Sequence, residues 1–334
     1  KYIYKNGDTF LGIFKNGIAF EGEGRVDFTS GNSYNGTFSN AQPHGHGKYT
    51  YAKDSRLDYY EGDFVDGKRS GKGKLFYKSG TIYDGEWKDN VRHGMGKMIF
   101  QGTSIDYFIG EFENDEPKPY GTIFYKNGLV YEGMHREYSL HGEGKLYSAD
   151  NKNEYYQGKF ESGIFVSGVK QNADGSRYEG ALKDGKFHGQ GEYIYSNHRY
   201  TRKYKGEWMK GDIIGLGTME YINGDRYEGE WDQNRFDGLG TYHFRNGDTY
   251  EGIWREGYFY YKGKLTLSDG TVFEGKFSYD NTATGNLICA NGIGCEVVRG
   301  EITDGKIAAR VSAQIKELVQ NHKLYFDHHG YKSF

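Results

Sequence analysis

Aromatic and charged residues alternate in short runs along this chain. In Tyr227 to Trp231, YEGEW, the residues Tyr227, Gly229 and Trp231 share one side, and Glu228 and Glu230 share the other. A period of two is that of a β-strand with one apolar face. Asp232 to Asp237 then forms a polar turn, whose Asn234 stands where sister segments carry Gly17, Gly67, Gly185, Gly211 or Gly257. Glycine and asparagine both tolerate a positive φ, so this position predicts a left-handed turn. Gly238-Leu239-Gly240 opens a return strand. Tyr242 and Phe244 continue it until Asn246-Gly247 turns the chain again. The unit predicts a β-hairpin.

The same unit recurs almost throughout. Aromatic-x-Gly anchors fall at Phe10, Tyr34, Tyr60, Tyr83, Phe108, Tyr131, Tyr156, Tyr178, Tyr204, Tyr227, Tyr250 and Phe273, at intervals of 22 to 26 residues. A degenerate thirteenth copy starts at Val298. A fixed period outranks any local pattern, so residues 1–297 read as one repeat array and 298–334 as a different segment. No long helical stretch separates the copies, which rules out the crossovers that parallel pairing needs. A lone hairpin is marginal in water, so each must lean on its neighbours. Glycines at the third position and in Gly-x-Gly leave bare backbone on which a ring from a nearby strand can lie. The predicted fold class is all-β: an elongated, twisted, single-layer antiparallel meander of about 12–13 hairpins, roughly 120 Å long. A propeller would need four strands per blade, and this period supplies two.

Composition sharpens this picture. The 334 residues include 52 Gly, 32 Tyr and 21 Phe, so rings must do most of the burying. The formal net charge of −3 gives no electrostatic reason to expect nucleic acid. Two cysteines, Cys289 and Cys295, exclude a disulfide scaffold and a four-cysteine zinc site, and a reduced intracellular setting is the expectation. No apolar run approaches the ~20 residues that span a bilayer. The opening segment YIYKNGDTF reads as the tail of an earlier repeat, so a longer array is expected. Four segments, such as GDFVDGKR at Gly62 to Arg69, mimic a phosphate loop but lack its Ser or Thr, and the Mg²⁺ ligand goes with it. His44, His93, His141 and His188 share one offset before Gly-x-Gly, and read as a turn preference rather than a metal site. No catalytic group, metal or cofactor is expected.

YKGEWMKGDIIGLGTMEYINGD (Tyr204 to Asp225) and YEGEWDQNRFDGLGTYHFRNGD (Tyr227 to Asp248) closely resemble the repeat of the MORN family, membrane occupation and recognition nexus. The resemblance covers about residues 1–295. Pro119 departs from it at the first glycine of Gly-x-Gly, as does Tyr261, which stands before Gly263; the copy from Tyr156 keeps only Gly168, and the copy from Phe273 is poor beyond Phe277. The resemblance implies an elongated β-ribbon that binds other proteins or a second copy of itself. Family members include radial-spoke head proteins, protist basal-complex scaffolds, junctophilins and plant phosphatidylinositol phosphate kinases, and one relative precedes a SET methyltransferase domain. It thus implies a non-catalytic scaffold in the cytoplasm and cytoskeleton, with a cilium or axoneme favoured. The alternatives are a phosphoinositide or membrane-surface module, for which HRYTRKYK (His198 to Lys205) is the modest basic cluster, and the repeat region of a larger lipid kinase or methyltransferase.

Three sets of residues are candidate contacts. The first is a groove of exposed rings, Trp87, Trp208, Trp231 and Trp254 with Tyr83, Tyr204, Tyr227 and Tyr250, for which packing across glycine backbone is the competing role. The second is a row of long connections after the second, fourth, sixth and eighth copies, YAKDSRLDYY, FQGTSIDYF, YSADNKNEYY and YSNHRYTRKY, with Arg56, Asp106, Asn151, Arg199 and Arg202 as candidate edge-loop contacts. Neutral loop growth explains these equally well. The third is Lys306 to Asn321, whose Ile307, Val311, Ile315, Leu318 and Val319 form a helical stripe that would cap the last strand edge or meet a partner.

Overall fold

The computed structural model describes residues 9–277 continuously, with 2–3, 283–288, 297–298, 301–302 and residue 313. Cys289, Cys295 and the stripe Ile307, Val311, Ile315, Leu318 and Val319 lie outside the described residues. The fold is all-β. The chain divides into two units, Lys1–Lys152 with Gln157–Ile164, and Asn153–Tyr156 with Phe165–Phe334.

Each unit is an antiparallel meander in which a strand pairs with the strand before it and the strand after it. In the second unit Thr201–Met209, Asp212–Tyr221, Arg226–Asp232, Arg235–His243, Thr249–Arg255 and Tyr258–Thr266 follow one another across the sheet. Register is set by glycine. Gly206 faces Gly217, Gly217 faces Gly229, Gly229 faces Gly240 and Gly240 faces Gly252. The first unit carries the same row, as in Gly62–Gly73–Gly85–Gly96–Gly110–Gly121. The two kinds of ladder differ. Between hairpins the pairing runs on without a break, whereas within a hairpin it slips just past the facing glycines, between Gly206 and Glu207 for example. The slip beside Gly-x-Gly is a bulge on the return strand, and the first glycine occupies it with positive φ: 66° at Gly94, 59° at Gly215 and 103° at Gly238; a second slip, on the outgoing strand, lies between Leu57 and Tyr59, Ile105 and Tyr107, and Thr201 and Lys203.

The two glycines of Gly-x-Gly therefore do different work. The first supplies a left-handed backbone. The second lies in the facing row, where a side chain would collide with a ring. Tyr261 takes the first role without being glycine, at φ 66°. Pro119, whose own ring fixes a negative φ, stands at the same place without entering the left-handed region. The copy that looks poor beyond Phe277 still closes, because Gly285 of Ala283–Ile288 faces Gly275. Val297–Val298 pairs with Glu301–Ile302, a remnant of the thirteenth copy.

Turns clip each hairpin to the one before. Asn234, at φ 68°, accepts from the Ile213 amide at 2.7 Å and gives its own amide to the Ile213 carbonyl at 2.9 Å. Asn90 does the same to Arg69, and Asp115 to Arg92. Where glycine holds the position, as Gly211 or Gly257, only the backbone bond remains. At the opposite edge the buried Asp225 accepts from the Arg245 amide at 2.9 Å and the Tyr242 hydroxyl at 2.9 Å, tying successive connections together.

The outer faces of the two units are unlike. In the first, the row opposite the core reads Tyr59, Phe76, Ile82, Ile99, Tyr107 and Phe124 in direct register, all half-buried. Tyr59 stacks on Phe76 at 4.1 Å and Tyr107 on Phe124 at 4.2 Å, with Lys48 and Lys97 ammonium groups over the tyrosine rings. The equivalent row in the second unit is Lys203, Glu220, Arg226, His243 and Thr249.

Candidate functional site

The core of each unit is a line of rings on one face. Tyr204 shows how a ring is held. Its ring lies over its own Gly206 and over the facing Gly217, so that a Cβ on either glycine would overlap it. Its hydroxyl then donates to the Glu207 carbonyl at 3.2 Å. Tyr60, Tyr83, Tyr131, Tyr178 and Tyr227 repeat the bond to the residue three ahead. Four residues after the anchor comes a second ring. Trp231 meets Tyr227 edge-on at 5.2 Å and Tyr204 edge-on at 5.4 Å, and its indole N–H donates to the Gly217 carbonyl at 3.2 Å. Trp87, Trp208 and Trp254 donate likewise to Gly73, Gly191 and Gly240. Each ring thus bridges two hairpins, and edge-to-face contacts run along the unit as Tyr204–Trp231–Tyr227–Trp254–Tyr250–Phe277.

This corrects one expectation. Trp87, Trp208, Trp231 and Trp254 are buried, as are Tyr83, Tyr204, Tyr227 and Tyr250. They do not form an exposed groove. The bare glycine backbone draws them inward, and the neighbouring rings close over them. Their environment shows in their acidity. Burial disfavours the phenolate, pushing the hydroxyls of Tyr34, Tyr131 and Tyr178 up to about 12 and raising those of Tyr83, Tyr204, Tyr227 and Tyr250 as well.

The long connections are outside. Arg56, Asp106, Arg199 and Arg202 are exposed, and Asn151 is half-buried. Short and long connections close with the same backbone bond. Tyr221 donates to the carbonyl of Asp225 and Phe244 to that of Asp248, whereas Tyr51 reaches Asp58, Phe100 reaches Asp106 and Tyr195 reaches Arg202. The extra residues of a long connection therefore bulge outward from an unchanged base. Adjacent connections touch: the Lys78 amide donates to the Arg56 carbonyl at 3.0 Å and the Ile222 amide to the Tyr200 carbonyl at 2.8 Å.

The basic cluster from His198 to Lys205 is engaged in part. Lys203 lies 3.3 Å from Glu220 and Arg202 3.9 Å from the same carboxylate, while the Arg199 guanidinium sits over Tyr200 at 5.4 Å. Among the described residues no group of three or more His, Cys, Asp or Glu is placed to hold a metal ion, and no helix is long and apolar enough to cross a membrane.

Sequence reasoning missed two parts of this arrangement. The first is the indole–carbonyl bond, for which the 14-residue spacing of Trp87 and Gly73, Trp231 and Gly217, and Trp254 and Gly240 is the signal, lengthened to 17 at Trp208 and Gly191 by the long connection between them. The second is the break at His135, which stands where Trp231 stands in its copy.

Comparison with solved structures finds weak likenesses. The SAS-4 (dCPAP) TCP domain of Drosophila melanogaster, in complex with a proline-rich motif of Ana2, is 17% identical over 52% of this chain and 79% of that one, with a TM-score of 0.28. The TCP10 domain of Danio rerio CPAP, in complex with a STIL peptide, is 10% identical over 79% and 96%, with a TM-score of 0.25. A streptogramin B lyase is 11% identical over 79% and 88%, with a TM-score of 0.14. No curated protein sequence matches. The MORN repeat family model matches residues 34–56, 60–82, 83–102, 178–198, 204–226 and 227–249, segments that begin on the anchors Tyr34, Tyr60, Tyr83, Tyr178, Tyr204 and Tyr227. With six matched copies and the same ring-over-glycine register in copies between them, the chain is a MORN-repeat protein.

Proposed function

We propose that this chain is a non-catalytic protein-interaction scaffold and a structural component of a cytoskeletal assembly, in the cytoplasm and favourably in a cilium or axoneme such as a radial spoke. One observation carries the interaction reading. The core rings are spent on holding hairpins together, while the loop edge, where every second connection from Tyr34 to Tyr204 projects, is a surface that differs from copy to copy. Small sites in series suit avid binding of an extended partner. The cytoskeletal placing rests on family membership alone. For a phosphoinositide module the His198–Lys205 cluster is a modest basic patch, in which Lys203 and Arg202 share the single Glu220 carboxylate.

The test is to trim all four long connections, residues 51–58, 100–106, 148–155 and 195–202, to the length of the Tyr221–Asp225 turn. The trimmed protein should fold with an unchanged urea midpoint and lose the stoichiometric partners that the wild-type chain retains from native cells. Retention of all those partners would overturn the loop-edge reading. Co-sedimentation of the wild-type chain with anionic but not neutral liposomes would favour the membrane alternative.

A further inference from the structure

The outer face of the first unit is apolar where that of the second is charged. Its row Tyr59, Phe76, Ile82, Ile99, Tyr107 and Phe124 crosses six consecutive strands, Leu57–Val65, Lys68–Tyr77, Ile82–Lys88, Val91–Ile99, Ile105–Glu113 and Glu116–Tyr125. The row is bounded on both sides. Before Tyr59 it gives way to the polar Thr50. After Phe124 it passes to Val130 and Tyr147, which are buried, with the Lys145 and Lys152 ammonium groups 5.8 and 5.7 Å from the Tyr147 ring. Between these limits the row is half-buried, and on the same face Met95 and Tyr120 are 53% and 65% exposed. An apolar sheet face of this extent ordinarily packs against a second layer.

The order of residues across the face fits a second copy of the same face. A two-fold axis along the strands, between Ile82–Lys88 and Val91–Ile99, lays each strand on the one equally far from the axis. Ile82 then meets Ile99 of the second copy, Phe76 meets Tyr107, and Tyr59 meets Phe124. In the next outward-facing row Asp84 meets Lys97, Lys74 meets Ile109 and Glu61 meets Thr122. In the row beyond, Lys72 meets Glu111, Glu86 meets Met95 and Asp63 meets Tyr120. Opposite charges face each other twice, and like charges nowhere in these three rows. A two-fold across the strands would instead set Phe76 against Lys72 and Ile82 against Glu86. Six strands at ~4.8 Å and three rows at ~6.8 Å give a face on the order of 600 Å². Two such faces bury on the order of 1,200 Å², the lower end of specific stable interfaces, which suits a dimer formed at micromolar concentration.

We propose that the outer face of the first unit is a contact between two copies of this chain, packed sheet on sheet with Ile82 and Ile99 at the two-fold axis. This surface is distinct from the loop edge and goes beyond that reading. Sedimentation velocity of the full chain from about 1 to 100 µM should show a reversible monomer–dimer equilibrium. Ile99→Glu buries a charge at the axis and should weaken it at least about tenfold. Leu239→Glu, on the exposed outer face of the second unit, should leave it unchanged. Lys72→Glu and Glu111→Lys keep the test clear of the fold around Ile99, since the two positions are three strands apart within a copy and face each other only across the axis. Each alone should weaken the dimer. A one-to-one mixture of the two variants should restore it, because both facing pairs of the mixed dimer again carry opposite charges. A wild-type chain that stays monomeric at the highest concentration, equal effects of Ile99→Glu and Leu239→Glu, or a mixture no stronger than its components would each overturn the inference. Monomeric wild type whose Ile99→Glu variant loses a partner retained from native cells would overturn it in favour of another protein on this face. The loop-edge reading fails separately: the loop-trimmed chain should dimerise as wild type does, whichever partners it has lost.

Discussion

The hairpins from Tyr204 to Trp254 and those from Phe108 to Leu140 use one device in two states of completeness. In the first region every part is present: tyrosine over two glycines, a hydroxyl bonded three residues ahead, and an indole bonded back to the previous hairpin. In the second, Phe108 still lies over Gly110 and Gly121, but without a hydroxyl, and His135 has replaced the second ring. The glycine row continues through both. Glycine register is therefore the indispensable part, and the polar bonds are additions that a copy can lose. Where the second ring is the imidazole of His135, it still packs edge-on to Phe108 at 4.8 Å and parallel to Tyr138 at 5.7 Å.

The comparison can be broken most forcefully at the glycines. Gly240→Val should cost about 3 kcal/mol, because the new side chain would occupy the Tyr227 ring's place. Gly121→Val, under Phe108, should cost a similar amount, and Glu251→Ala on the exposed side less than about 0.5 kcal/mol. Urea melts would show this; equal effects at Gly240 and Glu251 would end the packing account. Next in size is Trp231→Phe, which keeps a ring and removes the bond to the Gly217 carbonyl, and should cost about 1–1.5 kcal/mol.

His135 should make the less complete region sensitive to acid. Its pKa in the fold is below the ordinary histidine value, so its stabilising contribution is present above pH ~6.5 and is lost as pH falls through the folded value. Melts of wild type and His135→Phe between pH 7.5 and 5 should diverge on the acid side, with the phenylalanine variant less affected. The smallest effect is expected at Tyr261, where glycine would relieve a left-handed backbone. Tyr261→Gly should gain about 0.5–1 kcal/mol, measured by the same melts.

Much of the fold was legible from Tyr227 to Asp248 alone, because period-two alternation and glycine or asparagine at turns are local effects written residue by residue. Asn234 was assigned a left-handed turn and has one. The division of labour within Gly-x-Gly was not legible, since a bulge glycine such as Gly238 and a row glycine such as Gly240 look alike until register is known. The fate of Trp231 and Trp254 was left open for the same reason. A ring on an alternating strand is exposed or buried according to what covers it, and the cover comes from the next hairpin. The His135 departure was present in MHREYSLHGEG as a histidine at a ring position, but its meaning depended on Pro119 and Tyr138 meeting it in space.

The central claim is that ring and glycine occupy one another's space. A double-mutant cycle on Tyr227→Ala and Gly240→Ala tests it most directly, because Gly240 does not have positive φ and the three atoms nearest its added methyl all belong to the Tyr227 ring and hydroxyl. Each single change should destabilise the chain, and the pair should cost at least about 1 kcal/mol less than their sum, since the added methyl enters the volume the ring has vacated. Strict additivity of the two changes would contradict the account.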